Sequence, residues 1–146
     1  MIRVFHLVQR ANTALFRAAD RRLERQHAIT ATQLGLLLAL LEQDGQKLSH
    51  VGAALGIAPA SITGLSDRMA ARGLVRRQAD PADRRAALLW LEPAGRALAE
   101  RALPDVTAMN QRLLADVSAP DQAVIARFLT HLATAAASLI DEEDMT

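Results

Sequence analysis

The chain has no cysteine, which excludes a disulfide framework, a thiolate nucleophile and a thiol redox switch together. Aromatic residues make up only 3% of its 146 residues, although apolar residues reach 51%. Ala and Leu dominate that apolar share. Both lose little entropy in a helix, so the composition points to a mainly helical fold. No apolar run approaches the roughly 18 residues of a membrane span. The opening MIRVFHLVQRANTALFRAADRR is broken by charge every few residues, unlike a secretory signal. A cytoplasmic protein with no membrane partner is expected. The length suits one domain over 1–146, able to bury about 68–70% of its unfolded surface.

Charge is nearly balanced overall, at +1, but it is unevenly placed. Lys47 is the single lysine among seventeen cations. Arg68, Arg72, Arg76, Arg77, Arg84 and Arg85 fall within eighteen residues, whereas residues 141–144 read DEED. Local charge is therefore the informative quantity.

Val4, Val8, Ala11, Leu15 and Ala18 recur at 4-3-4-3 spacing, which predicts an amphipathic helix from about residue 2 to 27. Thr30-Ala-Thr-Gln offers hydroxyl caps to LGLLLALLEQDG, an apolar helix ended by Gly45 and expected in the middle of the fold. Ser49 is expected to cap a short helix with Val51, Ala54 and Leu55 inward, closed by Gly56. Pro59 suits the first turn of the next helix, whose stripe is Ile62, Leu65 and Met69 and whose stop is Gly73. Two short helices around a tight Gly-containing turn are a helix-turn-helix pattern. LVRRQ and AALLWL read as two strands, with the polar DPADRR between them as the loop. Pro93 opens a long helix that Pro104 is expected to kink. Ser118-Ala-Pro-Asp then starts a last helix with a seam of Ile125, Phe128, Leu132, Ala136 and Leu139. The chain contains no internal repeat. The order is α-α-α-α-β-β-α-α, mainly α with a two-stranded β wing.

A helix-turn-helix places its second helix in the DNA major groove, with residues near its N-terminus toward the base edges. With Ile62, Leu65 and Met69 inward, Pro59, Ala60, Ser61, Thr63 and Gly64 lie on the opposite or flanking faces. Ser61 and Thr63 can donate to base edges or phosphates, and their small neighbours permit close approach. Arg68, one turn on, can reach a phosphate or a guanine edge. The plainer alternative is a solvated helix face. In the following hairpin, Arg85 can enter the minor groove, where the negative potential favours a guanidinium. Asp83 is spaced to orient Arg85 by a carboxylate pair, and Arg84 can contact the backbone. An ordinary charged loop with a surface ion pair is the alternative there.

The segments Ala-Thr-Gln-Leu, LSHVGAALGIAPASITGLSDRMAARGLVRR and DPADRRAALLWLEPAG together resemble the MarR family of winged helix-turn-helix transcriptional regulators. The family's Asp-x-Arg wing element falls on Asp83 and Arg85, and its Leu-Thr-x-x-Gly on Leu91-Glu-Pro-Ala-Gly95. The resemblance implies a DNA-binding part over 30–92 and a helical dimerisation part over 1–29 and 93–146. It further implies a homodimer on a pseudo-palindromic operator in double-stranded DNA. A repressor released by an anionic or phenolic small-molecule effector of unknown identity completes the expectation. Glu92 stands where the family has Thr; it weakens a hydroxyl cap but adds a negative charge favourable at a helix N-terminus. Gly64 and Ala60 are small where some relatives carry larger polar or basic groups.

His6, His27, His50 and His131 form no close HxxxH or HxH pair, so no metal site and no cofactor are expected. No Ser-His-Asp set, P-loop or dinucleotide fingerprint is visible, and an enzyme is not expected. His6, Arg10 and Arg17 on the first helix are candidates for holding an acidic effector; an ion-paired polar face is the alternative. A winged-helix interaction module that no longer binds DNA, or a small helical enzyme, are the competing readings of the whole chain.

Overall fold

The computed structural model describes residues 1–141. Helix α1 spans Val4–His27 and α2 spans Ala31–Glu42. A short strand β1, Gln46–Lys47, precedes the helix pair α3, Leu48–Ala54, and α4, Pro59–Ala71. Strands β2, Val75–Asp80, and β3, Asp83–Leu91, form the hairpin. Helices α5, Pro93–Leu114, and α6, Ala119–Asp141, follow. Contacts divide the chain into a unit Met1–Pro104 and a second unit from Asp105 onward. Helix α5 runs through Pro104, the residue at which the two units divide. No single helix among the described residues is long and apolar enough to cross a membrane.

The core of the first unit is built around α2, as its apolar run requires. Leu34, Leu36, Leu37 and Leu40 are fully buried, with Leu23 and Ile29 before them and Val51, Ile62, Met69 and Leu89 around them. The capping of α2 is a full capping box. Gln33 N donates to Thr30 Oγ1 and Thr30 N donates to Gln33 Oε1, each at 3.1 Å, so two orphan helix donors are satisfied reciprocally. Ala31 N also donates to Asp20 Oδ1 at 2.7 Å, which ties α1 to the start of α2.

Helices α3 and α4 meet at a bend of 110°, within the range of a helix-turn-helix. Both end the same way. Gly56 (φ +66°) and Gly73 (φ +71°) take the left-handed conformation. Ile57 N donates to Gly52 O at 2.8 Å, and Leu74 N donates to Met69 O at 3.1 Å. These are Schellman closures, and Leu74 packs back where a hydrophobic residue is expected.

Three features differ from the sequence expectation. The sheet has three strands in the order β1-β3-β2, because Gln46 and Lys47 pair with Leu89 and Leu88. A two-residue strand leaves no periodicity to read. That pairing also starts α3 at Leu48 with Lys47 at the cap, so Ser49 lies inside the first turn and does not cap it. The helix face turns accordingly: Val51 and Gly52 are buried, whereas Ala54 is exposed and Leu55 only half-buried. Finally, the hairpin tip is Pro81-Ala82 alone, because Asp83, Arg84 and Arg85 belong to β3. Asp80 Oδ1 accepts the Ala82 N–H at 2.9 Å, the local bond by which Asp before Pro closes a tight turn.

The base of the hairpin is clamped to the end of α2. Asp44 Oδ1 accepts Leu91 N–H at 2.8 Å and Gly45 N–H at 3.1 Å, while Asp44 Oδ2 lies 3.7 Å from Arg96. Trp90 packs over Gly45, where a side chain would meet its ring. The Arg76 guanidinium, opposite Trp90 in the register, sits 5.4 Å from the ring centroid, a cation–π arrangement across the strands. Arg76 Nε also lies 3.5 Å from Glu92, so the acid at this position pairs with the hairpin as well as standing at the start of α5.

In the second unit, Ser118 Oγ accepts Asp121 N–H at 3.3 Å, as its capping position suggests. The seam expected of α6 is on the surface of that unit. Ile125, Phe128 and Leu139 are exposed, and Leu132 is half-buried. All but the first residue of the DEED stretch lies outside the described residues.

Candidate nucleic-acid interface

Helix α4 buries Ile62, Leu65, Ser66 and Met69, as the apolar stripe requires. Ser66 is apolar in its use: its hydroxyl donates to Thr63 O at 2.9 Å and so enters the core satisfied. With those four inward, the helical period turns Ala60, Thr63, Gly64, Asp67 and Ala71 to the other side. Pro59 stands at the first helical position, where its missing N–H costs nothing. Pro59, Ala60, Ser61 and Thr63 are exposed and Gly64 is half-exposed.

The two hydroxyls are not equivalent. Thr63 Oγ1 donates to Pro59 O at 3.1 Å, a back-bond that commits its proton and leaves its lone pairs outward. Ser61 remains the outward donor. Arg68 is exposed, and its Nη1 lies 3.4 Å from where a Cβ on Gly64 would stand. The guanidinium therefore folds back over Gly64 toward the start of the helix, and the small residue at 64 makes room for it.

In the hairpin, strand alternation places Asp83, Arg85, Ala87 and the buried Leu89 on one face, and Arg84 on the other. Arg85 thus faces α4. Pro59 and Thr63 of α4, Ser49 of α3, Arg77 of β2 and Asp83 and Arg85 of β3 line a single cleft of about 390 Å³. The structure brings four of the expected residues together there: Pro59, Thr63, Asp83 and Arg85. Ala60, Ser61, Gly64 and Arg68 lie along the exposed part of α4 outside that cleft, and Arg84 lies across the strand from it.

One expected contact takes a different form. The Asp83 carboxylate accepts the Arg85 main-chain N–H at 3.0 Å; it makes no ion pair with the guanidinium. The spacing of two residues favours this local turn bond, which shapes the start of β3 and leaves the Arg85 guanidinium exposed at the cleft.

Sequence reading missed the pairing of Asp67 with Arg77. Asp67 Oδ1 and Arg77 Nη1 are 2.7 Å apart. The only sequence signal is that Asp67 falls on the same helix face as Ala60, Thr63 and Gly64; its partner ten residues away is set by how β2 returns along α4. Of the six clustered arginines, Arg76 and Arg77 are engaged by Glu92 and Asp67. Arg68, Arg72, Arg84 and Arg85 are exposed and are not held by a carboxylate among the described residues.

Of the proposed effector residues, Arg10 and Arg17 line one open groove on α1 with Leu7, Ala11 and Ala14. His6 does not border it. Among the described residues no three His, Asp or Glu side chains come together as a metal site.

A family model described as the MarR family matches residues 29–87, from the end of α1 to the middle of β3. The chain is 32% identical over 106 residues to the HTH-type transcriptional repressor NicR of Pseudomonas putida, covering 69% of this chain and 63% of that protein. Across the curated relatives it matches, the aligned part spans 43% to 64% of their own lengths. Among solved structures, BpsR of Bordetella bronchiseptica is 31% identical with a TM-score of 0.78, over 90% of this chain and 98% of that one. The transcriptional regulator MOSR of M. tuberculosis, solved with DNA, is 28% identical with a TM-score of 0.80, over 92% and 96%. The family match takes in the helix pair and half of the wing, the fold agrees with that of BpsR over 90% of the chain, and this protein belongs to the MarR family of winged helix-turn-helix transcriptional regulators.

Proposed function

We propose that the protein is a homodimeric, sequence-specific DNA-binding repressor that a small anionic or phenolic molecule releases from its operator. The observation that carries the DNA-binding part is the convergence of the exposed, small-residue start of α4 with Arg85 of the wing on one side of the chain. A helix with Pro59, Ala60 and Ser61 at its leading end can approach base edges closely, and Arg68 beside it is long enough for a guanine edge or a phosphate. The Arg85 guanidinium has no carboxylate partner among the described residues and reaches the flanking minor groove, while Arg84 on the other strand face meets the backbone. Residues 30–92 form the reading part in this scheme, with 1–29 and 93–146 for dimerisation. That the similar regulator MOSR was solved in complex with DNA supports the DNA-binding reading.

Selection of bound duplexes from a random pool tests this reading. Enrichment of a two-fold sequence with half-sites about 34–36 Å apart is expected. Recovery of unselected sequence after repeated rounds, with no salt-sensitive binding, would overturn it.

The apolar surface supports the dimer. On α1, Phe5 is 85% exposed, with Val8, Leu15 and Phe16 also open to solvent, as is Ile2 just before the helix. In the second unit Leu113, Val124, Phe128 and Leu129 are exposed in the same way. Monomers rarely leave contiguous apolar patches beyond a few hundred Å² uncovered, and a second copy covers such faces by symmetry. Sedimentation equilibrium at micromolar concentration should return twice the chain mass. A well-folded monomer there would contradict the proposal.

For the effector, the open groove on α1 offers Arg10 and Arg17 together with Leu7, Ala11 and Ala14 and the polar Gln9 and Thr13, a mixture suited to an aromatic carboxylate. DNA binding by BpsR is regulated by 6-hydroxynicotinic acid, which has that chemistry. An effector that weakens DNA binding must bind the DNA complex more weakly by the same factor.

A further inference from the structure

Asp67 is the single acidic residue of α4, and it stands on the face turned outward beside Thr63 and Gly64. Its charge-assisted bond to Arg77, at 2.7 Å, is exposed on both sides: the Asp67 side chain retains 57% of its surface and Arg77 36%. An exposed pair of this kind contributes little to folding stability. Its consequence is electrostatic. Arg77 lines the same cleft as Pro59, Thr63, Asp83 and Arg85, where a free guanidinium would neutralise a phosphate. Held by Asp67, it does not.

We propose that Asp67 is a brake on sequence-independent DNA binding, acting by sequestering Arg77 within the DNA-facing surface. The inference rests on the reading that α4 and the wing bind DNA. Non-specific affinity comes almost entirely from cations that neutralise phosphates and release their counterions, at about 0.9 in log–log salt slope per phosphate. Arg68, Arg72, Arg84 and Arg85 already have no carboxylate partner among the described residues, and a free Arg77 would add a fifth such cation to α4 and the wing. A carboxylate on the same face both cancels that fifth charge and repels phosphates from the outer part of α4. Binding then depends more on the contacts made by the leading end of the helix and by Arg85, which read sequence, and less on general attraction to the duplex.

The test measures binding of a random-sequence 30-base-pair duplex between 50 and 200 mM salt for the wild type, Asp67→Asn, Arg77→Gln and the double variant. Asp67→Asn keeps the shape and removes the charge. It should bind random duplex more tightly at 50 mM, with a salt slope steeper by about 0.9 per bound protomer, so that its advantage shrinks about 3.5-fold by 200 mM. Arg77→Gln should bind more weakly than the wild type, because the uncompensated carboxylate then faces the phosphates. The double variant should return close to the wild type, a reversal that mere loss of a wing-to-helix strut does not produce. Thermal unfolding of all four should coincide. An unchanged or shallower slope for Asp67→Asn, with the wild type binding normally, would overturn the proposal alone. Failure of the wild type to bind any duplex at low salt would overturn the DNA-binding reading itself.

Discussion

Gly95→Ala is expected to destabilise the fold by about 3 kcal/mol, against the sign that helix propensity alone gives. Gly95 is buried in the first turn of α5. A Cβ there would overlap the carbonyl oxygen of Leu74 and stand 2.9 Å from its carbon. That carbonyl accepts Glu92 N–H at 3.0 Å, so it is main chain fixed between the end of α4 and the start of α5. A flexible side chain could move aside; this group cannot without breaking its bond or tilting the helix. Overpacking a rigid site costs roughly 1–3 kcal/mol or more, and the strained hydrogen bond adds about another 1 kcal/mol. Propensity favours Ala over Gly by only about 1 kcal/mol, so sterics win. Thermal unfolding should shift down by roughly 6–12 °C. Gly64→Ala is the control. Its Cβ meets only the movable Arg68 Nη1 at 3.4 Å, and the same substitution should there be neutral or slightly stabilising. Equal melting temperatures for Gly95→Ala and the wild type would show that α5 does not approach Leu74 as described.

Arg85→Ala should weaken binding to the selected operator by roughly 5- to 150-fold, the range of 1–3 kcal/mol for a specific arginine contact. Folding should be unaffected, because Arg85 is exposed, its guanidinium has no carboxylate partner among the described residues, and its main-chain bond to Asp83 survives the substitution. Arg84, on the opposite strand face, should behave as a phosphate contact. Arg84→Ala is expected to weaken operator and random duplex alike and to reduce the salt slope by about 0.9. Asp83→Ala should have a smaller effect than Arg85→Ala and lose most of it in an Arg85→Ala background, since Asp83 acts by holding the Arg85 main chain at 3.0 Å. Operator affinity unchanged in Arg85→Ala would reduce the hairpin to a charged surface loop.

The sequence by itself determined most features that arise from neighbours within a turn or two of chain; the cap expected at Ser49 and the form of the Asp83–Arg85 contact are the exceptions. The buried stripe Ile62, Leu65 and Met69, the caps at Thr30 and Ser118, the Pro59 start of α4 and the stops at Gly56 and Gly73 are local, because helical period and end-capping involve residues a few positions apart. Those same local rules placed Ala60, Ser61, Thr63, Gly64 and Arg68 on or beside the outer face of one helix. Only the tertiary structure decided what depends on segments meeting from a distance. Gln46 and Lys47 became a strand because Leu88 and Leu89 return beside them, and that moved the start of α3 ahead of Ser49. Asp44 reaches Leu91 across forty-seven residues, and Gly95 owes its importance to the Leu74 carbonyl it touches. Asp67 and Arg77 are the clearest case. Nothing in their spacing pairs them; the return of β2 along α4 does, and it decides which arginines of the cluster are left to meet a phosphate.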